Sequence, residues 1–278
     1  MKHLFLTTIM LTILLTTSCS QEKNYNYYTG QGPEAMGEPI TSPVNIHVIY
    51  DNYVYKKGTQ ADWGFSILIE GLDKCILFDT GTKPEIFEAN FKEMGLDASE
   101  IDEVFISHEH RDHFGGLEAM LKMNPDVKVV VPETFGKNFF RIPEQTGSLT
   151  ELVSKPVQIC RGLYTTGVLG RAIPEQSMVL NTGKGLVVMT GCSHPGIINI
   201  LEQVEEDFGK DIYMVFGGFH LMNSSEKQIN EIIERMNELG VQKCGASHCT
   251  GEQQIKWFRQ AFGENFVELG TGNVITIL

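Results

Sequence analysis

The chain has 278 residues, 42% hydrophobic and 21% charged, an ordinary globular composition with length for one sizeable core or two small domains. Its formal net charge is −13; so acidic a surface repels phosphate backbones, which argues against a nucleic-acid partner, and favours cations. The six cysteines lack the spacing of a disulfide scaffold, and a chain of this length does not need one.

Residues 1–20, MKHLFLTTIMLTILLTTSCS, open with Lys2 and His3 and continue in an apolar run, Leu4 to Leu15, too short to span a bilayer comfortably. A charged start, a short apolar core and small residues before a cut make a secretory signal peptide. Here the small residues lead to Cys19, so residues 1–18 resemble a bacterial lipoprotein signal with Cys19 as the lipidated first residue of the mature chain. The expected location is exported and anchored to a bacterial membrane, on the periplasmic or cell-surface side, with lipid as the sole membrane contact. A plain signal peptide is the alternative. With Cys19 lipidated, five cysteines remain, so at least one is unpaired. Residues 19–43 are rich in Asn, Gln, Gly, Tyr and Pro without helical or strand period, and read as a tether.

From Val44 the pattern changes. VNIHVIYDN, GFSILIEG and KCILFDTG read as three strands. KPEIFEANFKEMG has helical spacing, IDEVFIS is a strand, GGLEAMLKMNP a helix and VKVVVP a strand. Residues 133–178 show few clear periods and read as an irregular stretch overhanging a site. GLVVMTG (strand), IINILEQVEEDFG (helix), DIYMVFGG (strand), EKQINEIIERMNELG (helix), KCGASH (strand) and EQQIKWFRQAFG (helix) follow, and NVITIL closes as a strand. The expected fold is one layered α/β domain over residues 44–278, with helices outside and sheets within.

The stretch ISHEHRDHFGG places three histidines and two acids between His108 and His113. Side chains two apart in extended chain point the same way, so His108 and His110 can converge on one point. Asp112 and His113 fall where the next helix begins, and the turn can aim them at a second point. Two imidazoles on one cation, with carboxylate and imidazole on another, suit borderline divalent metals. Three later histidines also stand where a strand gives way to a loop: His194 in TGCSHPG, His220 in GGFHL and His248 in SHCTG. Ligands at the same end of parallel strands can meet at one sheet edge. His194 and His248 are expected as further metal ligands; His220 is read either as a ligand or as a residue that contacts substrate and moves a proton. His47, on the first strand, is read as a packed or exposed residue.

The HxHxDH pattern followed by Gly115 and Gly116 resembles the metallo-β-lactamase superfamily, as does FDTG at Phe78–Gly81. The resemblance covers roughly Val44 to Leu278. It implies an αββα sandwich, a site for two divalent metal ions (zinc first, iron or manganese also accepted), and Asp79 as a support for the histidine loop. Many hydrolases of the superfamily carry Gly-Asp after the later strand, with a carboxylate bridging both metals. Here Cys192 takes that place, as a possible thiolate ligand. The set TGCSHPG, GGFHL and HCTG, with the Glu175-Gln176 pair, is similar to a branch of proteins resembling 7,8-dihydropterin-6-methyl-4-(β-D-ribofuranosyl)-aminobenzene-5'-phosphate synthase.

The activity these features imply is metal-dependent hydrolysis of a small-molecule ester, lactone or phosphoester by a metal-activated water, with Asp112 and His220 as catalytic candidates. The competing expectations are a condensing enzyme like the branch synthase and a metal- or ligand-binding surface lipoprotein without turnover. An intact HxHxDH cluster argues against the last.

Overall fold

The computed structural model describes residues 25–278; the signal segment 1–18 and Cys19 lie outside the described residues. Fourteen strands occur among the described residues, and they form two sheets. The first contains β1 (Asn26–Tyr27), β2 (Val44–Tyr50), β3 (Ser66–Glu70), β4 (Ile76–Phe78), β5 (Glu103–Phe105), β6 (Lys128–Pro132), β7 (Thr150–Val153) and β14 (Val274–Ile277). Their spatial order is β1-β7-β6-β5-β4-β3-β2-β14. The second contains β8 (Val157–Cys160), β9 (Leu163–Thr165), β10 (Met178–Thr182), β11 (Gly185–Thr190), β12 (Ile212–Gly218) and β13 (Lys243–Ser247), in the order β13-β12-β11-β10-β9-β8.

Period-two alternation builds the sandwich. On β11, Val187 and Met189 face a core shared with Phe65, Phe78 and Phe105 of the first sheet's side. Leu186 and Val188 face the opposite way, onto α5 (Ile197–Phe208), α6 (Glu226–Glu238) and α7 (Glu252–Phe262), through Ile200, Val204, Ile229 and Phe258. The outer face of the first sheet is covered by α1 (Pro84–Met94) and α3 (Leu117–Met123), through Phe87, Phe91, Leu117 and Met120. The result is the expected four-layer α/β/β/α order. Local signals set the helix ends. Pro84 opens α1 at a position with no backbone N–H to lose, and Gly95 closes it in the left-handed region (φ 71°). Ser225 and Gln228 form a reciprocal capping box on α6.

Two sequence expectations are corrected. Residues 25–43 do not behave as a tether. β1 pairs with β7, Tyr25 stacks on Phe140 at 4.2 Å, the Tyr28 hydroxyl donates to Glu103 (2.8 Å), and Ile40 bridges to Thr182. The tyrosines taken as linker composition supply apolar rings with a polar tip, which is what a docked segment needs. Residues 133–178 are also more regular than their sequence suggests. They hold α4 (Arg141–Thr146), β7, β8 and β9, strands of three or four residues, too short to show a period. Among the described residues no helix is long and apolar enough to cross a membrane.

Candidate metal centre

The two sheets bring the chemistry-bearing residues to one edge. β4 and β5 run parallel, as do β11, β12 and β13. Their C-terminal ends lead directly into Asp79, Ser107-His108, Gly191–His194, Phe219-His220 and His248. His110 precedes α2 (Arg111–Phe114), whose single turn carries Asp112 and His113. Parallel strands collect their following loops at one end, so residues far apart in sequence meet there. The described non-glycine residues with positive φ are Asp79 (61°), Ser193 (62°), His220 (54°) and His248 (48°), all at this edge. Such backbone costs on the order of 1–3 kcal/mol per residue and persists where surrounding contacts enforce it.

Three groupings of ligand atoms result, the atoms in each lying within 4.8 Å of one another. His108, His110 and His194 form the first. Asp112, His113, Cys192 and His248 form the second. Cys192, His220 and Cys249 form the third. His47 takes part in none of them; it sits 2.7 Å from Glu70. His108 Nε2 and His110 Nδ1 approach to 3.1 Å, close to the ~3.3 Å edge that ~2.05 Å bonds give in a tetrahedral zinc site.

Hydrogen bonds fix which ring nitrogen faces inward. Asp79 is fully buried; its Oδ1 accepts from the Ser107 backbone N–H (2.7 Å), and its Oδ2 accepts from the Ser107 hydroxyl (2.8 Å) and from His113 Nδ1 (2.6 Å). With its proton given to Asp79, Ser107 Oγ accepts from His108 Nδ1 (2.9 Å), which leaves His108 Nε2 bare. His248 Nδ1 donates to Asn52 Oδ1 (2.9 Å), which leaves its Nε2 bare too. These tautomers follow from the network, and a carboxylate, hydroxyl or amide behind an imidazole is the support a metal-binding histidine uses. The Asp112 carboxylate is held by Trp63 Nε1 (2.8 Å), and its Oδ2 lies 3.3 Å from His248 Nε2 and 3.7 Å from His113 Nε2. His113 Nε2 also lies 3.1 Å from Cys192 Sγ.

The charge states of the first two groupings differ. Burial, reinforced by neighbouring imidazoles, lowers His108 well below the ordinary value, lowers His110, and brings His194 to about 3. The first grouping is therefore neutral at pH 7. In the second, burial works against ionising Asp112, but His248 and His113 outweigh it and hold the carboxyl below its usual range. Burial likewise opposes charge on His113, yet the Asp79 carboxylate pushes it up to about 9. A cation at that position replaces the extra proton.

The residues fit a metal. His194 Nε2 and His248 Nε2 are buried and make no hydrogen bond, and they belong to different groupings; beside His248 Nε2 stands the Asp112 carboxylate, at 3.3 Å. An unpartnered buried polar nitrogen costs on the order of 1–3 kcal/mol, and a bound cation removes that cost.

Residues 63–198 match the family model described as the metallo-beta-lactamase superfamily. A solved structure of a metal-dependent hydrolase of the beta-lactamase superfamily is 30% identical, with a TM-score of 0.72 over 84% of this chain and 98% of that one. The chain belongs to the metallo-beta-lactamase superfamily. Its fold is that of the superfamily, whose members commonly bind divalent metals. The 7,8-dihydropterin-6-methyl-4-(beta-D-ribofuranosyl)-aminobenzene-5'-phosphate synthase of Methanocaldococcus jannaschii is 29% identical over 84% of this chain and 96% of its own length. A metallo-beta-lactamase fold protein of Bacillus subtilis shares the fold (TM-score 0.63) at 15% identity, covering 85% of this chain and 100% of that one.

Sequence reasoning did not single out several residues that build this superfamily site. Glu175, fully buried, accepts from the backbone N–H groups of Cys192 (2.8 Å), Ser193 (2.9 Å) and His194 (2.9 Å), shaping the loop that carries Cys192 and His194. Burial raises its pKa, against the pull of those three donors. Its pairing with Gln176 had marked it only as part of a branch pattern. Asn52 and Trp63 gave no signal, being single residues on a loop far from the motif. Cys249, beside His248, approaches Cys192 and His220. Cys192 itself does not bridge the first two groupings; it belongs to the second and third. His220 is exposed and faces the His194 ring at 4.3 Å. A cavity of about 240 Å³ opens beside these two histidines, with Ile198, Leu221 and Ile232 in its wall.

Proposed function

We propose that this protein is a metal-dependent hydrolase of a small ester, lactone or phosphoester. The observation that carries the reading is the pair of adjacent ligand groupings, each holding a buried ring nitrogen without a partner. His108, His110 and His194 would hold one divalent ion; Asp112, His113, Cys192 and His248 would hold the second, zinc being favoured by the imidazole and thiolate donors. Bound there, such ions supply a water of lowered pKa and polarise a carbonyl or phosphoryl oxygen. Asp112, held by Trp63, would orient that water by accepting its hydrogen bond or would hold the second ion through one oxygen. His220, exposed at the cavity mouth, would face an incoming substrate. The cavity's apolar wall suits a substrate with an apolar portion.

Metal analysis of the purified protein tests this. About two tightly held ions per chain support it, and none sinks it. Hydrolysis of an ester and phosphodiester panel should vanish in His108→Ala and His110→Ala; turnover that survives both would sink the mechanism. The likeness to the archaeal synthase across 84% of this chain favours a second reading, a condensing enzyme on the same metal centre. A product assay with a pterin and a phosphorylated aminobenzene riboside separates the two. We also propose that the protein is exported, with Cys19 as the lipid anchor. Labelled palmitate incorporated by the wild type and lost in Cys19→Ala supports it; equal labelling of both discards it.

A further inference from the structure

Cys192, His220 and Cys249 bring two sulfurs and an imidazole within 4.8 Å of one another, with the His220 ring 4.3 Å from that of His194. The other described cysteines, Cys75, Cys160 and Cys244, join no such set. The approach is built into the backbone. Gly218 ends β12 against the Cys249 sulfur, and a Cβ there would stand 2.7 Å from Sγ. His220 turns through a positive φ of 54°, and its backbone N–H points at Cys249 Sγ (3.2 Å). A backbone N–H aimed at sulfur is the kind of outer support that tunes a metal-bound thiolate. Cys192 and Cys249 are 2% exposed, whereas His220 is exposed, so the set is open on its imidazole side alone.

We propose that Cys192, Cys249 and His220 form a third metal position, joined to the second grouping through the shared Cys192 sulfur. Two thiolates and one imidazole are a softer donor set than either of the other two groupings, and they select a thiophilic ion such as zinc. With three protein donors and an exposed histidine, this position fills last and keeps a coordination place for solvent or substrate. Binding balances by release of the cysteine protons to solvent; no oxidation is involved. The bland alternative is a buried dithiol in which the Cys249 S–H donates to the Cys192 carbonyl oxygen (3.5 Å).

The experiment is a titration of reduced, metal-free full-length protein with cobalt(II) as a spectroscopic stand-in for zinc, followed by thiolate-to-cobalt absorption and by equilibrium dialysis. The wild type should take up about three equivalents and Cys249→Ser about two, with the last rise in thiolate absorption lost. His220→Gln, a change at an exposed side chain, should weaken that last step about tenfold or more without touching the earlier ones. The same stoichiometry and absorption in the wild type and Cys249→Ser would overturn the third position, whatever number the wild type binds. So would a protein isolated with Cys192 and Cys249 joined as a disulfide that survives mild reduction. The ions of the first two groupings are read separately in the early equivalents, so this proposal and the hydrolase reading fail independently.

Discussion

Asp79 accepts the Nδ1 proton of His113 at 2.6 Å, and this one contact points His113 Nε2 at Cys192 Sγ, 3.1 Å away. The carboxylate at the end of β4 thus orients a side chain from the turn of α2 toward a thiol from the loop after β11. It does so without facing the metal position itself. The same oxygen takes the Ser107 hydroxyl, and through Ser107 it sets the tautomer of His108. One buried acid therefore aligns a nitrogen in each of the first two groupings.

Asp79→Asn tests that alignment. An amide keeps the shape but turns one acceptor into a donor that faces Ser107 or His113. Zinc affinity, measured by competition with a chelator, should fall about 10- to 100-fold. Unchanged affinity would mean that the histidines are held by packing alone.

Glu175→Gln should destabilise the protein by about 3 kcal/mol in chemical denaturation. Three backbone N–H groups converge on the two carboxylate oxygens, and the amide nitrogen presents a donor to one of them in a dry site. The change should also lower metal content, because Cys192 and His194 ride on that loop. A loss below about 0.5 kcal/mol would remove Glu175 from the account.

Trp63→Phe separates orientation from stability. Trp63 is 44% exposed, so its truncation should leave stability within about 1 kcal/mol. It removes the indole N–H that fixes the Asp112 carboxylate, and kcat on the best panel substrate should drop about tenfold with KM little changed. An unaltered kcat would show that Asp112 is positioned by His113 and His248 instead.

Asp51→Asn addresses pH. Asp51 is fully buried beneath Ser247, which donates to its carboxylate, and burial raises its pKa from 3.8 to about 6. A raised folded value means the stability it contributes is fully present below pH 3.8 and is lost as pH rises through about 6. That shift corresponds to about 3 kcal/mol. Relative to wild type, Asp51→Asn should gain that amount between pH 4 and pH 8 in urea melts. Parallel pH profiles for the two proteins would contradict it.

Some of this protein was readable before any fold was known. The helices α1, α5, α6 and α7 carry a 3.6-residue period with ends marked by proline, glycine or a capping box, and β2, β11 and β12 are long enough to display their apolar pattern. Those are local properties, decided by the chain within a few turns. The HxHxDH cluster was legible for the same reason, since its donors lie within six residues at a strand end. The short strands β7, β8 and β9 were not, because three or four residues cannot establish a period; pairing with neighbours is what makes them strands. The docking of residues 25–43 escaped for a related reason, since it depends on tyrosine hydrogen bonds and a ring contact with partners more than 100 residues away.

By itself, the sequence determined the layered α/β class, the superfamily motif and the residue types that suit a divalent cation, because each depends on spacing along a short stretch. The tertiary structure alone decided the grouping of the donors. It put His194 with His108 and His110, set Cys192 with Asp112, His113 and His248, and brought Cys249 and His220 to its sulfur. The physical reason is that both sheets deliver the loops after their parallel strands to one edge. There, strand order and strained backbone at Asp79, Ser193, His220 and His248 set which side chains meet.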